Sequence, residues 1–296
     1  MNGGAVRVWA AGVARGFCVG TADLVPGVSG ATVAIVLGIY ERLVAAVRGF
    51  DLAFAGRLLR FDLPGAARRV DAGFLLPLVL GIAVAAAFFT RVVSLAELME
   101  THRIAVQSFF FGLVAGALVV LVGEAGRGRA LRWPDAAAAA GGLAAGWGIA
   151  VAVPASTPET GWFVFVAGAL AAAAMILPGI SGAYVLVMLK KYAYVLAALG
   201  RLDLAVLVPF GLGVAAGLAL LSRILGWLLG RYRRPTLFAL TGLVAGSLWS
   251  LWPYRAAMDG RTVPTWPHAF EMVNAVLAAA GMVLVAALHL ASRSRA

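Results

Sequence analysis

The sequence contains a single cysteine, Cys18, and only three histidines. One thiol excludes an internal disulfide framework and a multi-cysteine metal site, since both require pairs of cysteines. The histidines, His102, His268 and His289, lie too far apart in the chain to form a metal-binding spacing. The sequence therefore predicts no metal site and no cofactor.

Charged residues are also scarce, at 12% of the chain, whereas water-soluble domains carry about 25%. Hydrophobic residues make up 62% of the 296 positions, so lipid rather than water is the expected solvent. The formal charge of +11 would suit nucleic acid, but the cations cluster between apolar runs and do not interleave with aromatic residues. Such clusters set membrane topology. We therefore expect a membrane partner and no nucleic acid.

A short motif occurs twice inside apolar sequence. PGVSGA at residues 26–31 recurs as PGISGA at residues 178–183. Proline removes a backbone donor and glycine weakens a helix, so each copy is expected to break one. Broken helices persist at membrane depth only where protein or a water-filled cavity satisfies the freed backbone groups. Paired breaks in matching halves point to a transport site. The alternative is that both copies are turns outside the membrane.

Apolar segments near the roughly 20 residues that cross a bilayer follow each copy of the motif. The breaks are flanked by short arms, of which residues 14–25 are too short to cross. The arms are predicted at 14–25 and 31–47 in the first half, and at 161–177 and 183–199 in the second. The spans are predicted at 73–90, 104–123 and 136–153, and again at 204–230, 235–252 and 270–291. Residues 48–71 are predicted to be a solvated, partly amphipathic loop, and residues 253–268 a short loop. Gly112-x-x-x-Gly116 and Gly242-x-x-x-Gly246 are predicted to allow close helix packing.

The expected fold is an all-α polytopic membrane protein made of two inverted repeats, residues 1–153 and 154–296, in a single transmembrane domain. Each repeat would contain a re-entrant helical hairpin, broken at the motif, and three transmembrane helices. A hairpin returns to its own side, so the three spans place the second repeat upside down. With a cytoplasmic N-terminus, 17 of the 24 lysines and arginines fall on cytoplasmic segments, as the positive-inside rule requires. Both termini are therefore expected in the cytoplasm.

The residues around both breaks carry a resemblance to a known family. DLVPGVSGAT at residues 23–32, with LPGISG at residues 177–182, resembles the bacterial polyprenyl-phosphate translocase family, formerly a domain of unknown function. The resemblance covers nearly the whole chain. It implies transport of undecaprenyl phosphate, the lipid carrier of peptidoglycan synthesis, from the outer to the inner leaflet of the bacterial cytoplasmic membrane. Alternating access with proton or cation coupling is the expected mechanism.

The predicted substrate site lies between the two breaks, where an apolar midplane cannot hold a phosphate without donors. The candidate ligands are Ser29, Gly30, Thr32, Ser181, Gly182 and Tyr184, with a guanidinium from Arg91 or Arg223. The candidate hinge residues are Pro26, Gly27, Pro178 and Gly179. The alternative for both serines is that they only cap their own helices. For the two arginines it is anchoring at the membrane interface by snorkelling.

Asp23 lies three residues before the first proline and has no acidic counterpart in the second half, where Met175 stands. The second copy also has Tyr184 in place of Thr32. An ionisable residue at bilayer depth is a functional candidate by default, so Asp23 is predicted to couple transport to a proton or another cation. The alternative is that it caps the Pro-Gly turn or pairs with an arginine.

Two other function classes stay open. One is a membrane enzyme acting on a polyprenyl phosphate, for instance a phosphatase, and the other is a small-anion channel. His102 has Glu97, Glu100 and Arg103 nearby, but no phosphatase-like spacing appears. The sequence therefore predicts no catalytic residue and no enzyme activity. A channel does not explain a lipid substrate. The oligomeric state is left open, and a homo-oligomer remains one of the alternatives.

Overall fold

A computed structural model of the chain describes residues 3–25, 27–126, 130–258, 261–266 and 271–293. The described residues form fifteen helices and one antiparallel two-stranded hairpin. The helices of the first half are α1 Gly3–Asp23, α2 Gly30–Val36, α3 Tyr40–Arg48, α4 Leu52–Leu59, α5 Leu63–Arg69, α6 Ala72–Arg91, α7 Leu95–Thr101, α8 Arg103–Gly126 and α9 Trp133–Ala150. The second half contains α10 Gly161–Ile176, α11 Gly182–Met188, α12 Tyr192–Arg201, α13 Leu204–Arg231, α14 Arg233–Leu251, β1 Arg255–Met258, β2 Arg261–Pro264 and α15 Met272–Arg293.

Four of the described helices, α6, α8, α13 and α15, are long and apolar enough to cross a membrane. The bent pair α11 and α12 passes the same test as one unit, which makes up to five candidate spans. Helices α9 and α14 cover the remaining predicted spans with 18 and 19 residues. Neither is among the helices that pass the test; α9 carries Asp135, and α14 begins with Arg233 and Arg234. The structure therefore confirms the all-α class and four of the six predicted spans.

The structure corrects the prediction that residues 14–25 are too short to cross. Helix α1 begins at Gly3 and has 21 residues, so this segment is only its second part. The helix continues through Arg7 and Arg15 because long cationic side chains can extend to the aqueous interface while the backbone stays helical.

Residues 48–71, predicted to be a loop, instead contain the short helices α4 and α5. Two aspartates cap them, since Asp51 accepts from the backbone N–H of Phe54 and Asp62 from that of Gly65, each at 2.9 Å. The Arg69 guanidinium and the Phe54 N–H together hold the pKa of the Asp51 carboxyl below its usual range. Short helices that are capped in this way can carry many charged residues. The composition of this segment therefore looks like that of a loop although the segment is helical.

The two downstream arms, each predicted to be one helix, are also interrupted. The first is divided into α2 and α3 at Gly38, whose φ is +68°. The second is divided into α11 and α12, which meet at 105°, with Lys190 at a φ of +51° between them. The predicted loop at 253–268 contains the β1–β2 hairpin, with Arg255 opposite Pro264.

Four close helix pairs build the bundle: α1 with α6, α8 with α15, α9 with α14, and α10 with α13. Glycines lie at each crossing. A Cβ would meet backbone of the partner helix at Gly16, Gly112, Gly213 and Gly242, among others. In each pair, later residues of one helix contact later residues of the other, so the two helices run parallel. Small residues permit this close backbone approach, as the sequence predicts for Gly112 and Gly242.

Ion pairs gather the helix starts at one end of the bundle, which we call the arginine-rich end. Arg42 binds Asp71 before α6, Arg233 at the start of α14 binds Glu41, and Arg234 binds Asp135 at the start of α9. At the opposite end, a cavity brings together the starts of α8 and α15 and the beginning of β1. We call this the β-hairpin end.

The two interrupted segments reach opposite ends. Helix α2 ends at Val36, whose carbonyl lies 3.3 Å from Nδ1 of His289, close to the end of α15 at the arginine-rich end. Helix α11 ends at Met188, whose carbonyl accepts from the N–H of Ala155, just before α10 begins at the β-hairpin end. Six of the seven residues of α2 are buried, so this short helix depends on its neighbours and not on its own length.

Adjacent glycines in α9 allow a matched test of the crossing with α14. A Cβ at Gly142 would collide with the carbonyl of Ala239, whereas one at Gly141 would meet nothing within 4 Å. We expect Gly142→Ala to destabilise the protein by about 1–3 kcal/mol through overpacking. Gly141→Ala should leave stability unchanged or slightly higher because alanine favours helix. Thermal unfolding of the two purified variants in detergent measures this, and equal midpoints would contradict the close crossing.

Candidate functional site

The two copies of the motif touch each other in the folded protein. The Ser29 hydroxyl donates to the carbonyl of Leu177 at 3.2 Å, and the N–H of Gly179 donates to Oγ1 of Thr32 at 2.9 Å. The Tyr40 hydroxyl donates to the carbonyl of Ile176 at 3.1 Å. These bonds join segments that are about half the chain apart in sequence. The predicted site residues of the two halves therefore lie together at one junction.

Both segments are non-helical where the motif predicts a break. Helix α1 ends at Asp23 and α2 begins at Gly30, while α10 ends at Ile176 and α11 begins at Gly182. Pro178 lies inside the second interruption, and Pro26 lies outside the described residues.

Glycine is required inside each interruption. Gly27 and Gly179 have φ values of +90° and +83°, which side-chain-bearing residues rarely adopt. A Cβ on Gly27 would press against Leu251, and one on Gly179 against Val244. Both breaks therefore rest against α14.

The two serines stand at the N-cap positions that the sequence predicts, but neither side chain caps its helix. Ser29 instead binds the opposite break through Leu177. Ser181 is buried, and its hydroxyl makes no hydrogen bond within the described part of the chain. The alternative that both serines only cap their helices therefore does not describe this arrangement.

The side chain of Asp23 bridges the two sides of the first break. Its Oδ1 accepts from the N–H of Gly30 at 2.6 Å, and it has no ion pair with an arginine among the described residues. A Cβ on Gly30 would collide with this carboxylate. In the second half, a Cβ on Gly182 would meet Met175 in the same way. Asp23 and Met175 thus occupy equivalent places, and only the first break is joined through a carboxylate.

The space between the breaks is small. A cavity of about 10 Å³ is lined by both motif glycines and by the polar side chains of Ser181, Tyr184, Ser247 and Ser250. That volume suits about one water molecule, so a phosphate does not fit there in this conformation. The backbone N–H groups of Gly30 and Gly179 are already bound to Asp23 and Thr32. The predicted phosphate site is therefore closed, with protein acceptors on those donors.

The two arginines predicted to hold the headgroup do not line this cavity. Arg91 is exposed at the end of α6, and Arg223 is exposed on α13, where its Nη1 donates to the carbonyl of Ala219 at 2.9 Å. Tyr184, by contrast, does line it, and its hydroxyl lies 3.4 Å from the carbonyls of Ile149 and Ala150. The structure thus brings together the candidates from the motifs but not the pair of arginines.

A larger polar cavity, which we call the vestibule, opens at the β-hairpin end with a volume of about 730 Å³. Its polar side chains include Arg103, Arg255, Glu100, Glu271, Asn274 and His102. Sequence reasoning noted Arg103 only as a neighbour of His102 and did not single out Arg255. The sequence signal that would have found them is weak, because both are isolated cations in connecting segments.

An apolar groove of about 530 Å³ adjoins the vestibule, and His102 and Ala105 line both spaces. The groove follows α1, α2, α8 and α15 and includes Thr21 and Val33, which lie close to the first break. The site region therefore combines a closed polar junction, an open polar vestibule and an apolar groove beside both.

Comparison with known proteins then identifies the family. A family model described as undecaprenyl phosphate translocase-like matches residues 19–265, most of the chain. The chain belongs to the undecaprenyl phosphate translocase-like family. The match includes both breaks, Arg103 and Arg255 of the vestibule, and every site residue predicted from the sequence.

Two relatives show how far this family membership extends. The chain is 37% identical over 253 residues to a polyprenyl-phosphate transporter of Vibrio cholerae serotype O1 (strain ATCC 39315 / El Tor Inaba N16961), covering 83% of this chain and 79% of the relative. It is 30% identical over 256 residues to a polyprenyl-phosphate transporter of Staphylococcus aureus (strain NCTC 8325 / PS 47), covering 81% and 85%. No solved structure matches the chain. Apolar helices and transporter relatives together make this family member a multi-pass membrane protein.

Proposed function

We propose that the protein moves undecaprenyl phosphate, or a closely similar polyprenyl phosphate, from the outer to the inner leaflet of the bacterial cytoplasmic membrane. The observation that carries the proposal is the direct contact between the two motif breaks, through Ser29 with Leu177 and Thr32 with Gly179. Two breaks meeting inside an apolar bundle give a junction that two interrupted segments can open or close. The relatives' names supply the substrate class.

The proposed architecture is a pair of inverted repeats, 1–153 and 154–296, each with a re-entrant hairpin. Support comes from the repeated packing, since α1 pairs with α6 as α10 pairs with α13, and α8 pairs with α15 as α14 pairs with α9. The interrupted segments also reach opposite ends of the bundle. We propose that the arginine-rich end and both termini face the cytoplasm, because the positive-inside rule puts clustered arginines there.

Alternating access follows from the closed junction. Because the cavity between the breaks has room for about one water, the headgroup can pass only if the breaks separate. The hydroxyls of Ser29, Thr32 and Ser181 would then exchange their present surroundings for phosphate oxygens. Asp23 is proposed as the coupling residue because a single carboxylate joins the first break, so a change in its charge alters the bond to Gly30.

Reconstitution in liposomes tests this function. A fluorescent short-chain prenyl phosphate is placed in both leaflets, and a membrane-impermeant quencher reports how fast the inner pool reaches the outside. We expect quenching to proceed to completion with the protein and to stop near half without it, with no inorganic phosphate released. Phosphate release would instead indicate a phosphatase, and loss of trapped chloride or phosphate without lipid movement would indicate an anion channel.

A further inference from the structure

The vestibule holds a guanidinium, that of Arg255, which has no carboxylate partner among the described residues. Arg255 is half-buried at the start of β1, its Nη2 donates to the carbonyl of Trp249 at 2.9 Å, and its Nε is buried with no hydrogen-bond partner in the described residues. Burial lowers the pKa of this guanidinium, and the positive charge of Arg103 acts in the same direction. Arginine nevertheless stays protonated in proteins. A partly buried cation of this kind is stabilised when an anion binds to it.

Arg103 supplies a second positive charge to the same cavity. It is exposed at the start of α8, and neither arginine forms an ion pair with a carboxylate in the part of the chain that the structure describes. Glu100 and Glu271 also line the vestibule. Glu271 accepts from the side-chain amide of Asn274 at 3.0 Å, and Glu100 is exposed at the rim. The guanidinium of Arg103 and the Nη1 of Arg255 therefore keep donors that no carboxylate occupies among the described residues.

The opposite end of the protein is arranged differently. All five ion pairs among the described residues lie at the arginine-rich end, and three of its arginines, Arg42, Arg69 and Arg233, bind their carboxylates through two nitrogens. Arg234 binds the buried Asp135 at 3.2 Å. Five arginines are thus paired with carboxylates at the arginine-rich end, whereas neither vestibule arginine has such a partner among the described residues.

The vestibule and the apolar groove beside it together fit a molecule that has one charged end and one apolar chain. The apolar groove begins where His102 and Ala105 line both spaces, and it continues along Phe109, Leu113 and Leu284. Its volume lies in the range of small-molecule pockets, and its lining is almost wholly apolar. A free inorganic anion would use the vestibule and leave this groove empty, whereas a lipid phosphate would use both.

We propose that the vestibule is the docking site for the headgroup of a long-chain lipid phosphomonoester, with the guanidiniums of Arg103 and Arg255 on the phosphate and the adjoining groove around the first part of its chain. The proposal rests on the proposed function and adds the residues that receive the substrate before the two breaks open. In the proposed orientation, the vestibule faces the outer leaflet.

Tyr184 connects this docking site to the junction between the breaks. It lines the serine-rich cavity beside the second break. Burial raises the pKa of its hydroxyl, and Arg255 lies close enough for its guanidinium to lower that pKa against the larger effect of burial. A headgroup leaving Arg255 therefore meets Tyr184 before it reaches Ser181 and Ser250. In this order, the vestibule binds the headgroup first, and the two breaks form its path across the middle of the membrane.

Binding of farnesyl phosphate, compared with farnesol and with inorganic phosphate, tests the docking site on purified full-length protein. Arg255→Gln and Arg103→Gln should each weaken farnesyl phosphate binding about tenfold or more, because each removes charged hydrogen bonds. Arg255→Lys should lie between wild type and Arg255→Gln, since lysine keeps the charge but loses the planar fork. Arg91→Gln is the control, an exposed arginine outside the vestibule. Glu100→Gln should tighten binding by removing a nearby negative charge.

Two further substitutions test the apolar groove separately from the vestibule. Ala105→Trp at the mouth and the partly exposed Leu284→Trp should weaken farnesyl phosphate while leaving inorganic phosphate binding unchanged. Leu220→Trp, on the exposed side of α13, is the matched control. If neither arginine substitution changes the preference for farnesyl phosphate over farnesol, the docking site is wrong. Inorganic phosphate binding as tightly as farnesyl phosphate would also overturn it, because the site would then serve a free anion.

The same variants in the liposome assay separate this proposal from the proposed function. Wild type that moves no prenyl phosphate, combined with variants that lose farnesyl phosphate binding, would reject transport and retain the docking site. Wild type that transports normally, combined with arginine variants of unchanged apparent affinity, would reject the docking site alone. If both proposals hold, Arg103→Gln should raise the lipid concentration at half-maximal rate more than it lowers the maximal rate.

Discussion

Asp23→Asn is expected to abolish prenyl phosphate transport while the protein remains folded and membrane-inserted. The carboxylate accepts from the N–H of Gly30 at 2.6 Å across the first break, and an asparagine carbonyl can accept the same bond. The substitution therefore preserves the contact and removes only the charge and the titratable proton. If Asp23 couples movement of the breaks to a proton or another cation, that loss alone stops the cycle.

Two further variants separate coupling from capping. Asp23→Ala removes the acceptor as well, so it should also destabilise the protein by roughly 1.5–3 kcal/mol, the range for hydrogen bonds to charged groups. Met175→Leu changes the equivalent place in the second half without touching charge and should transport normally. The rates are measured in liposomes across a range of pH, alongside thermal unfolding. An Asp23→Asn protein with the wild-type rate and pH dependence would leave Asp23 only a structural role at the break.

The sequence predicts the two breaks well because their cause is local. Proline and glycine weaken a helix through their own backbone chemistry, and Gly27 and Gly179 lie inside the two breaks with the positive φ that glycine permits. The spans follow from the length of apolar runs for the same reason. The contact between the breaks is long-range and not local, because Ser29 meets Leu177 only after both halves have packed. No local pattern encodes that pairing.

The arginine predictions show the limit of repeat matching. Arg91 and Arg223 occupy equivalent positions near the ends of equivalent helices, but both are exposed and away from the junction. Arg255 has no such symmetry to draw attention to it, and its environment depends on Trp249 and on helices that start elsewhere in the chain. The role proposed for Arg255 rests on its burial and on the lack of a carboxylate partner among the described residues, and neither can be read from the repeat.

The arginines at the two ends of the bundle differ in their pairing, and this difference indicates which step of the proposed transport cycle the structure represents. The junction between the breaks is closed, carboxylates pair with arginines at one end, and the two vestibule guanidiniums at the other end form no ion pair with any described residue. In the proposed orientation, this is a state that receives an anionic headgroup from outside and has not yet admitted it to the midplane. The exposed Glu41–Arg233 pair contributes little stability by itself, because solvent screens it.

Replacing the two motif serines by alanine should together reduce transport about a hundredfold. Each hydroxyl is proposed to donate to the phosphate once the breaks separate, and losing a hydrogen bond to a charged group costs roughly 1.5–3 kcal/mol, or tenfold or more. Ser181→Ala is the cleaner variant, because its hydroxyl makes no hydrogen bond among the described residues and its loss should hardly affect folding. Ser29→Ala also removes the bond to Leu177, so part of its effect will appear as lower stability.

The measurement is the transport rate of each single variant and of the double variant, together with the preference for farnesyl phosphate over farnesol. Ser222→Ala serves as the control, because that buried hydroxyl donates to the carbonyl of Ala219 within α13 and lines none of the cavities described above. If the effects are independent, the double variant should show the product of the single losses. Wild-type rates and an unchanged preference in the double variant would mean that the breaks act only as a hinge. The vestibule arginines would then be the only groups proposed here that recognise the phosphate.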